Sequence, residues 1–322
     1  MHTVLFFISA LLSFAVTSAA TASDAAAKSP PREFTDCADC PPMVVVPAGK
    51  FMMGLAPEKE PVGHSSRALG GSSPLHEVTF AKPFAMGKYP VTVAQFRKFA
   101  EETGYQPPDS CYNQHMIDGH MIYENARGYS WRSPGYPQDD RHPVVCVTWE
   151  DAAAYAMWLS KKTGHQYSLP NEAQYEYAAR GGTTTLYFWG DKFDATACLY
   201  SNQPDFAQGR AMGPDAPMGP EYRFQCDDGH GYTSPVGSYR PNPFGLYDMQ
   251  GNIWEFTADC LNPNYNGAPA DGSTWLTGDC DANASRGGSY GNASWTAYVA
   301  IRAPRDRDFN GHSWGFRVVR ND

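Results

Sequence analysis

Two stretches rich in aspartate, asparagine and glycine hold the residue types best suited to a hard cation. In Gly245-Leu-Tyr-Asp-Met-Gln-Gly-Asn-Ile-Trp-Glu255 the carboxylates of Asp248 and Glu255 flank a turn at Gly251. The backbone carbonyls exposed by that turn complete an oxygen-only set of the kind Ca²⁺ takes. The second stretch combines Asn202 with Asp227-Asp228-Gly229-His230 across a long loop. Solvated turns use the same residue types and are the alternative for both. Sulfur chemistry is the next candidate: Cys37, Cys40, Cys111, Cys146, Cys198, Cys226, Cys260 and Cys280 make an even set. Cys37-Ala-Asp-Cys40 could be a redox pair or half a zinc site. No second C-x-x-C or spaced histidine pair completes a tetrahedral set, so structural disulfides are expected, with a connectivity the spacing does not select. Arg302, Arg305, Arg307, Arg317 and Arg320 crowd one C-terminal stretch. They form either a basic patch for an anionic ligand or internal pairs with Asp306, Asp308 and the acidic loops. Gly288-Ser289-Tyr290 lacks the strand–turn–helix setting of a nucleophilic serine, and phosphate loops, dinucleotide fingerprints and H-E-x-x-H are absent. The nine histidines are scattered, with His115 and His120 neighbours in a predicted loop.

Such groups need elements to hold them. Thr92 with Gln95 predicts a capping box, and Val93, Phe96, Phe99 and Ala100 keep helical spacing up to Gly104. Thr148 caps a second predicted helix, whose apolar face runs through Trp149, Ala152, Ala153, Tyr155, Ala156 and Leu159 to Gly164. Asn171 with Gln174 opens a third, which stops at Gly181-Gly182. Met43–Gly54, with a Pro-Ala-Gly turn inside a β-rich run, predicts a hairpin; His76–Phe80 and Phe84–Lys88 predict a second strand pair. From Thr183 onward no helical period persists. Short aromatic pieces alternate with Gly, Asn, Asp and Pro clusters, and disulfides or metal ions are expected to pin them.

Composition narrows the class. Lys and Arg number 25 against 34 Asp and Glu, a net charge of −9, so no global field attracts a phosphate backbone and nucleic acid is not expected as a partner. Hydrophobic residues are 42% of the 322 and charged residues 18%, which excludes a disordered chain. Residues 4–16 form an apolar run too short to span a bilayer, followed by Ala20-Thr21-Ala22, which resembles a cleavage site. The expectation is a signal peptide over 1–22, a flexible leader over 23–40 and one domain over 41–322, periplasmic or secreted, with no stable membrane insertion once the signal is removed.

Seven motifs then resemble one family in order. Val45-Val-Pro-Ala-Gly-Lys-Phe-Met-Met-Gly54, Tyr89-Pro-Val-Thr92, His142-Pro-Val-Val-Cys-Val-Thr-Trp149, Leu169–Gly182, Gly245–Glu255, Arg286-Gly-Gly-Ser-Tyr290 and Trp314-Gly-Phe-Arg317 are similar to the formylglycine-generating enzyme, or sulfatase-modifying factor, family. The resemblance implies an α+β fold: one irregular domain of C-type-lectin-like topology with little regular secondary structure and two structural Ca²⁺ sites. By position, one ion would take Asn202, the Gln203 carbonyl, Asp228 and the His230 carbonyl. The other would take Asp248, the carbonyls of Gly251 and Ile253, and Glu255.

The departure from the family matters as much as the match. Its oxygen-dependent chemistry uses two cysteines shortly after the Gly-Gly-Ser motif, and Cu(I) requires such soft thiolates. Here Gly287–Arg302 contains no cysteine, with Asn292 and approximately Ala297 at those places. No copper is therefore expected there. Residues 74–92 and 291–298 resemble the pyoverdine-maturation branch, which oxidises a siderophore chromophore. The resulting expectation is a periplasmic tailoring oxidoreductase acting on a small-molecule or peptide-derived substrate, in a groove lined by Trp254, Ser289, Tyr290, Asn292, Trp295 and Arg302. A non-catalytic, Ca²⁺-stabilised ligand-binding module using the same groove is the rival.

Overall fold

Two long antiparallel segments, each bent in the middle, organise the molecule. The computed structural model describes residues 31–59, 71–117, 120–192, 194–213, 223–293 and 298–322. The signal segment 1–22, the leader up to residue 30 and Trp295 lie outside these. Met43–Val46 (β2) and Gly49–Met53 (β3), expected as a hairpin, do not pair with each other. Instead β2 pairs with Phe84–Gly87 (β5) and β3 with His76–Phe80 (β4), so the second expected strand pair is also divided. The Pro47-Ala48 and Ala81-Lys82-Pro83 corners send each segment from one sheet into another, as proline without an N–H does at strand ends.

The main sheet has the order β1-β2-β5-β13-β8, with Glu33–Phe34 as β1, Tyr167–Ser168 as β8 and Val319–Arg320 as β13. The leader boundary at residue 40 is corrected by this pairing: Glu33 and Phe34 are registered against Val44 and Met43. Successive side chains of a strand point to opposite faces, and two cores result. Met43 and Ala85 join helices α1 (Val93–Thr103) and α2 (Trp149–Thr163). Val44, Val46, Phe84, Met86 and Val319 join α3 (Glu172–Arg180). All three helices carry the expected caps, at Thr92, Thr148 and Asn171, with Asp151 completing a capping box at Thr148 that the sequence reading did not include, and end at Gly104, Gly164 and Gly181 in the left-handed conformation.

Two further features depart from expectation. A hairpin of Ser110–Ile117 (β6) and His120–Arg127 (β7) replaces the loop predicted around His115 and His120. The stretch after Thr183 contains a helix, Phe206–Met212 (α4), capped by Asp205. At seven residues it is too short to show a period. Beyond it, apart from β13 in the main sheet, the described strands form short pairs: Ala282–Ser285 (β10) with Ala303–Asp306 (β11), and Trp254–Glu255 (β9) parallel to Trp314–Gly315 (β12). Disulfides brace this region, as expected. Cys198–Cys226 and Cys260–Cys280 lie within it, Cys37–Cys40 and Cys111–Cys146 lie before it, and no cysteine is free. Thiol counting on denatured, unreduced protein should find essentially none; a free Cys37/Cys40 pair would contradict the pairing.

Candidate functional site

The fold joins the two acidic stretches. Asn202 accepts the Asn252 N–H on its main-chain oxygen at 2.8 Å, and Gly251 (φ +95°) packs so closely on Ser201 and Asn202 that a Cβ there would collide with both. Asn252, which sequence reasoning overlooked, ties the junction. It is fully buried at φ 64°, accepts from the Ser234 N–H at 3.0 Å and donates to the Ser234 carbonyl at 3.2 Å. Its only sequence signal was an asparagine after glycine, one of the few residue types that tolerate the left-handed region.

The donor chemistry around this junction fits a hard cation. Asn202 Oδ1, Gln203 Oε1 and Asp248 Oδ1 are buried oxygens without a hydrogen-bond partner, and such groups are costly unless something electropositive faces them. Burial, with Asp205 alongside, pushes the Asp228 carboxyl up to about 7. Burial pushes Asp248 up to about 6, against the pull of the Gly237 N–H and Arg317. Asp228 itself accepts the His230 N–H and the Tyr239 hydroxyl, each at 2.8 Å. Glu255 is engaged differently: Arg317 grips both its oxygens, at 2.7 and 2.8 Å, and Tyr175 donates at 3.2 Å. The Gly251 carbonyl accepts the Ile253 N–H at 2.9 Å. Cys198 and Cys226 also lie near Asp205, but their disulfide removes the thiolates a soft metal would need.

The expected groove is not an open groove. Trp254, Ser289, Tyr290 and Arg302 are all buried, and only Asn292 of the described members is part-exposed. Two of them build a mount for that asparagine. Ser289 Oγ donates to Asn292 Oδ1 at 2.6 Å and Trp254 Nε1 donates to the same oxygen at 2.5 Å. An indole N–H can only donate, so it fixes which end of the amide is oxygen. Trp254 is held in turn by Trp314, stacked at 6.1 Å and 15°.

Arg302 is elsewhere. Its guanidinium pairs with Glu172 at 2.7 and 2.8 Å and reaches the Gly71 carbonyl at 3.0 Å. Glu172, Glu176 and Arg180 lie on one face of α3 at i, i+4 and i+8. Arg286 joins the network through Glu176 at 2.6 Å, and Arg180 meets Glu176 at 2.7 Å. Three of the five C-terminal arginines are therefore paired internally: Arg317 with Glu255 of the first acidic stretch, as expected, and Arg302 and Arg320 with Glu172, Asp36 and Asp322 rather than with Asp306 or Asp308. Arg307 lies over the Trp149 ring.

A second overlooked residue completes the surroundings of Asn292. Tyr290 and His312 share a hydrogen bond between the phenol oxygen and Nδ1 at 2.7 Å. A Cβ added to Gly291 would lie 3.7 Å from His312 Cε1, 3.8 Å from Ser289 Oγ and 3.9 Å from Ser313 Oγ, so these groups gather beside Asn292. Tyr136 and Tyr232, stacked at 4.7 Å, each meet Tyr290 edge-on at 5.8 Å. Burial holds Tyr290 well above the ordinary phenol range and pushes His312 down to about 4. At neutral pH the pair is thus a phenol and an uncharged imidazole. Because the unfolded chain takes up the histidine proton first, wild-type stability should fall relative to His312→Gln as pH drops from about 6.5 to 4, by about 3 kcal/mol in total. Urea unfolding at several pH values measures it, and a pH-independent difference would refute the buried neutral imidazole.

Fold and site together define a disulfide-braced α+β domain that presents an amide, hydroxyls and aromatic rings where thiolates would be needed for copper. Residues 29–322 match the sulfatase-modifying factor enzyme 1-like domain, and the chain belongs to that family. It is 32% identical to a formylglycine-generating enzyme of Streptomyces coelicolor, over 86% of this chain and 88% of the relative. It is 31% identical to an inactive C-alpha-formylglycine-generating enzyme 2 of Bos taurus, over 86% of this chain and 87% of that protein. The solved structure of PvdO from Pseudomonas aeruginosa superposes with a TM-score of 0.70 at 36% identity, covering 92% of this chain and all of that one.

Proposed function

We propose that this protein is an exported tailoring oxidoreductase that removes two hydrogens from an aromatic or peptide-derived small molecule and passes the two electrons and two protons to an external acceptor such as dioxygen, the dihydro-chromophore of a pyoverdine siderophore being the leading substrate. The observation that carries the reading is the mounted Asn292 beside the Tyr290–His312 pair. The amide can orient a substrate oxygen, and the uncharged imidazole can accept a proton relayed through Tyr290. Likeness to PvdO over nearly the full length of both chains supports the branch. The residues present do not fit a Cu(I)-thiolate centre, because all eight cysteines are disulfide-bonded. Export agrees with the four disulfides, and no helix of the described residues is long and apolar enough to cross a membrane. Mass spectrometry of a strain lacking the gene tests the reading. A species two hydrogens heavier than the normal product should accumulate, and an unchanged profile would favour the ligand-binding module.

Ca²⁺ has a structural part in this proposal. Asn202 and Asp228, with the Gln203 and His230 carbonyls, would hold one ion; Asp248, with the carbonyls of Gly251 and Ile253, would hold another, with Glu255 shared with Arg317. Chelation should lower the melting temperature of the purified protein, Ca²⁺ should restore it, and Asp228→Asn should shrink the effect. Melting indifferent to chelator would remove the ions from the account.

A further inference from the structure

Of the four disulfides, Cys37–Cys40 does least for the fold. The other three join residues 20, 28 and 35 positions apart, and so tie together distant segments such as β6 and the stretch ahead of α2. Cys37 and Cys40 are three positions apart, and a bridge that short removes the least freedom from the unfolded chain. Its stretch is also held by other means. β1 before it pairs with β2 after it, Arg320 grips both oxygens of Asp36 at 2.8 and 3.0 Å, and the Cys40 N–H donates to the Cys37 carbonyl at 3.1 Å. Opening the S–S bond therefore leaves the contacts around it in place.

Thiol–disulfide exchange needs access for an attacking thiolate and a stabilised leaving thiolate. Cys37 is half-buried and Cys40 is 5% exposed, so an incoming sulfur meets Cys37 first and Cys40 is the sulfur that leaves. Cys40 and the exposed Ala38 and Asp39 border a cleft of about 540 Å³, which Thr92 and Gln95 at the α1 N-terminus also line, together with Lys98. The positive end of a helix and a nearby cation both favour a thiolate. The two neighbouring aspartates are each opposed by a cation, Asp36 by Arg320 and Asp39 by Lys98 at 3.9 Å. The other bridges are less suited. Cys111 and Cys146 are fully buried, and Cys198 lies 3.5 Å from the Asp205 carboxylate. Exposed Cys280 stands between Asp279 and Asp281, whose charges repel an incoming thiolate. We infer that Cys37–Cys40 is an exchange-active disulfide that takes two electrons from the dithiol of a partner protein. The partner's thiolate attacks Cys37 Sγ, the S–S bond breaks, and Cys40 leaves as a thiolate. The partner's second thiol then displaces Cys37 and closes a disulfide on the partner. The chain ends as a dithiol, two electrons and two protons richer, and the reverse steps restore the bridge from the disulfide of a more oxidising partner. The inference does not rest on the tailoring reading, and its test reads the sulfurs alone.

Reduced thioredoxin is the probe, compared with dithiothreitol at equal dithiol concentration, and the native protein is alkylated at intervals for peptide mass spectrometry. Cys37 and Cys40 should become alkylated at least about tenfold faster than any other pair, while the far-ultraviolet dichroism stays that of the oxidised protein. Thioredoxin should open this bridge about tenfold faster than dithiothreitol or more, and a thioredoxin variant keeping only its attacking cysteine should form a mixed disulfide that maps to Cys37. Cys260–Cys280 opening first, as the exposure of Cys280 alone would have it, would overturn the inference. Thioredoxin acting no faster than dithiothreitol, or an opening of Cys37–Cys40 that abolishes the secondary structure, would also overturn it. The Cys37→Ser/Cys40→Ser variant should unfold cooperatively near the wild-type melting temperature; a variant that does not fold would make the bridge a structural staple and overturn the inference as well.

Discussion

Replacing Arg302 by methionine is expected to destabilise the protein by about 3–5 kcal/mol, far more than the loss of a surface cation would. The reason lies in what remains. Glu172 would keep only Arg286 at 3.4 Å and the Tyr265 hydroxyl at 3.2 Å. It would stand beside Asp259, whose carboxyl is already pushed up to about 7 by burial and by Glu172 itself. A buried carboxylate stripped of its bidentate partner must protonate or drag water inward, and either lowers stability. Urea unfolding measures the loss. Adding Glu172→Gln should return part of it, because the coupling between contacting residues is not additive. An Arg302→Met protein with wild-type stability and no tailoring activity would return Arg302 to the substrate groove.

That outcome bears on what the sequence could disclose. Elements whose cause is local were legible. The three capped helices begin and end where Thr92, Thr148 and Asn171 and the following glycines place them, because a cap needs only residues a few positions apart. Pairing was not legible. The Pro-Ala-Gly run at 47–49 has the composition of a hairpin turn, yet it is a corner between two sheets, and what decides this is the antiparallel partner about forty residues away. The ionic face of α3 was hidden for a related reason. Glu172, Glu176 and Arg180 look like a solvated stripe until the C-terminal arginines arrive to bury them. The site was half legible: Asn292 and its neighbours follow the Gly-Gly-Ser motif, whereas His312 arrives from a distant strand connection and resembled eight other histidines. Asn252 was hidden by its own economy, since a single left-handed asparagine leaves no pattern.

The sharpest test of the site concerns the mount rather than the asparagine alone. Asn292→Ala removes the amide, and a strain carrying it in place of the wild-type gene should keep accumulating the reduced species, with turnover down about hundredfold, the range for losing a group that orients a reacting molecule. Trp254→Phe leaves an aromatic ring against Trp314 but deletes the N–H that fixes the amide oxygen, so a smaller loss of about tenfold is expected from the freed rotamer. Asn292 is part-exposed, and its substitution should leave the melting temperature near that of wild type, which separates it from Arg302. This ordering is specific to a positioning mechanism. A surface on which Asn292 merely contacts a bound partner would respond to Asn292→Ala but be indifferent to Trp254→Phe, because Trp254 is buried beneath it. Full rescue by both variants would move the chemistry away from this end of the Gly-Gly-Ser segment altogether.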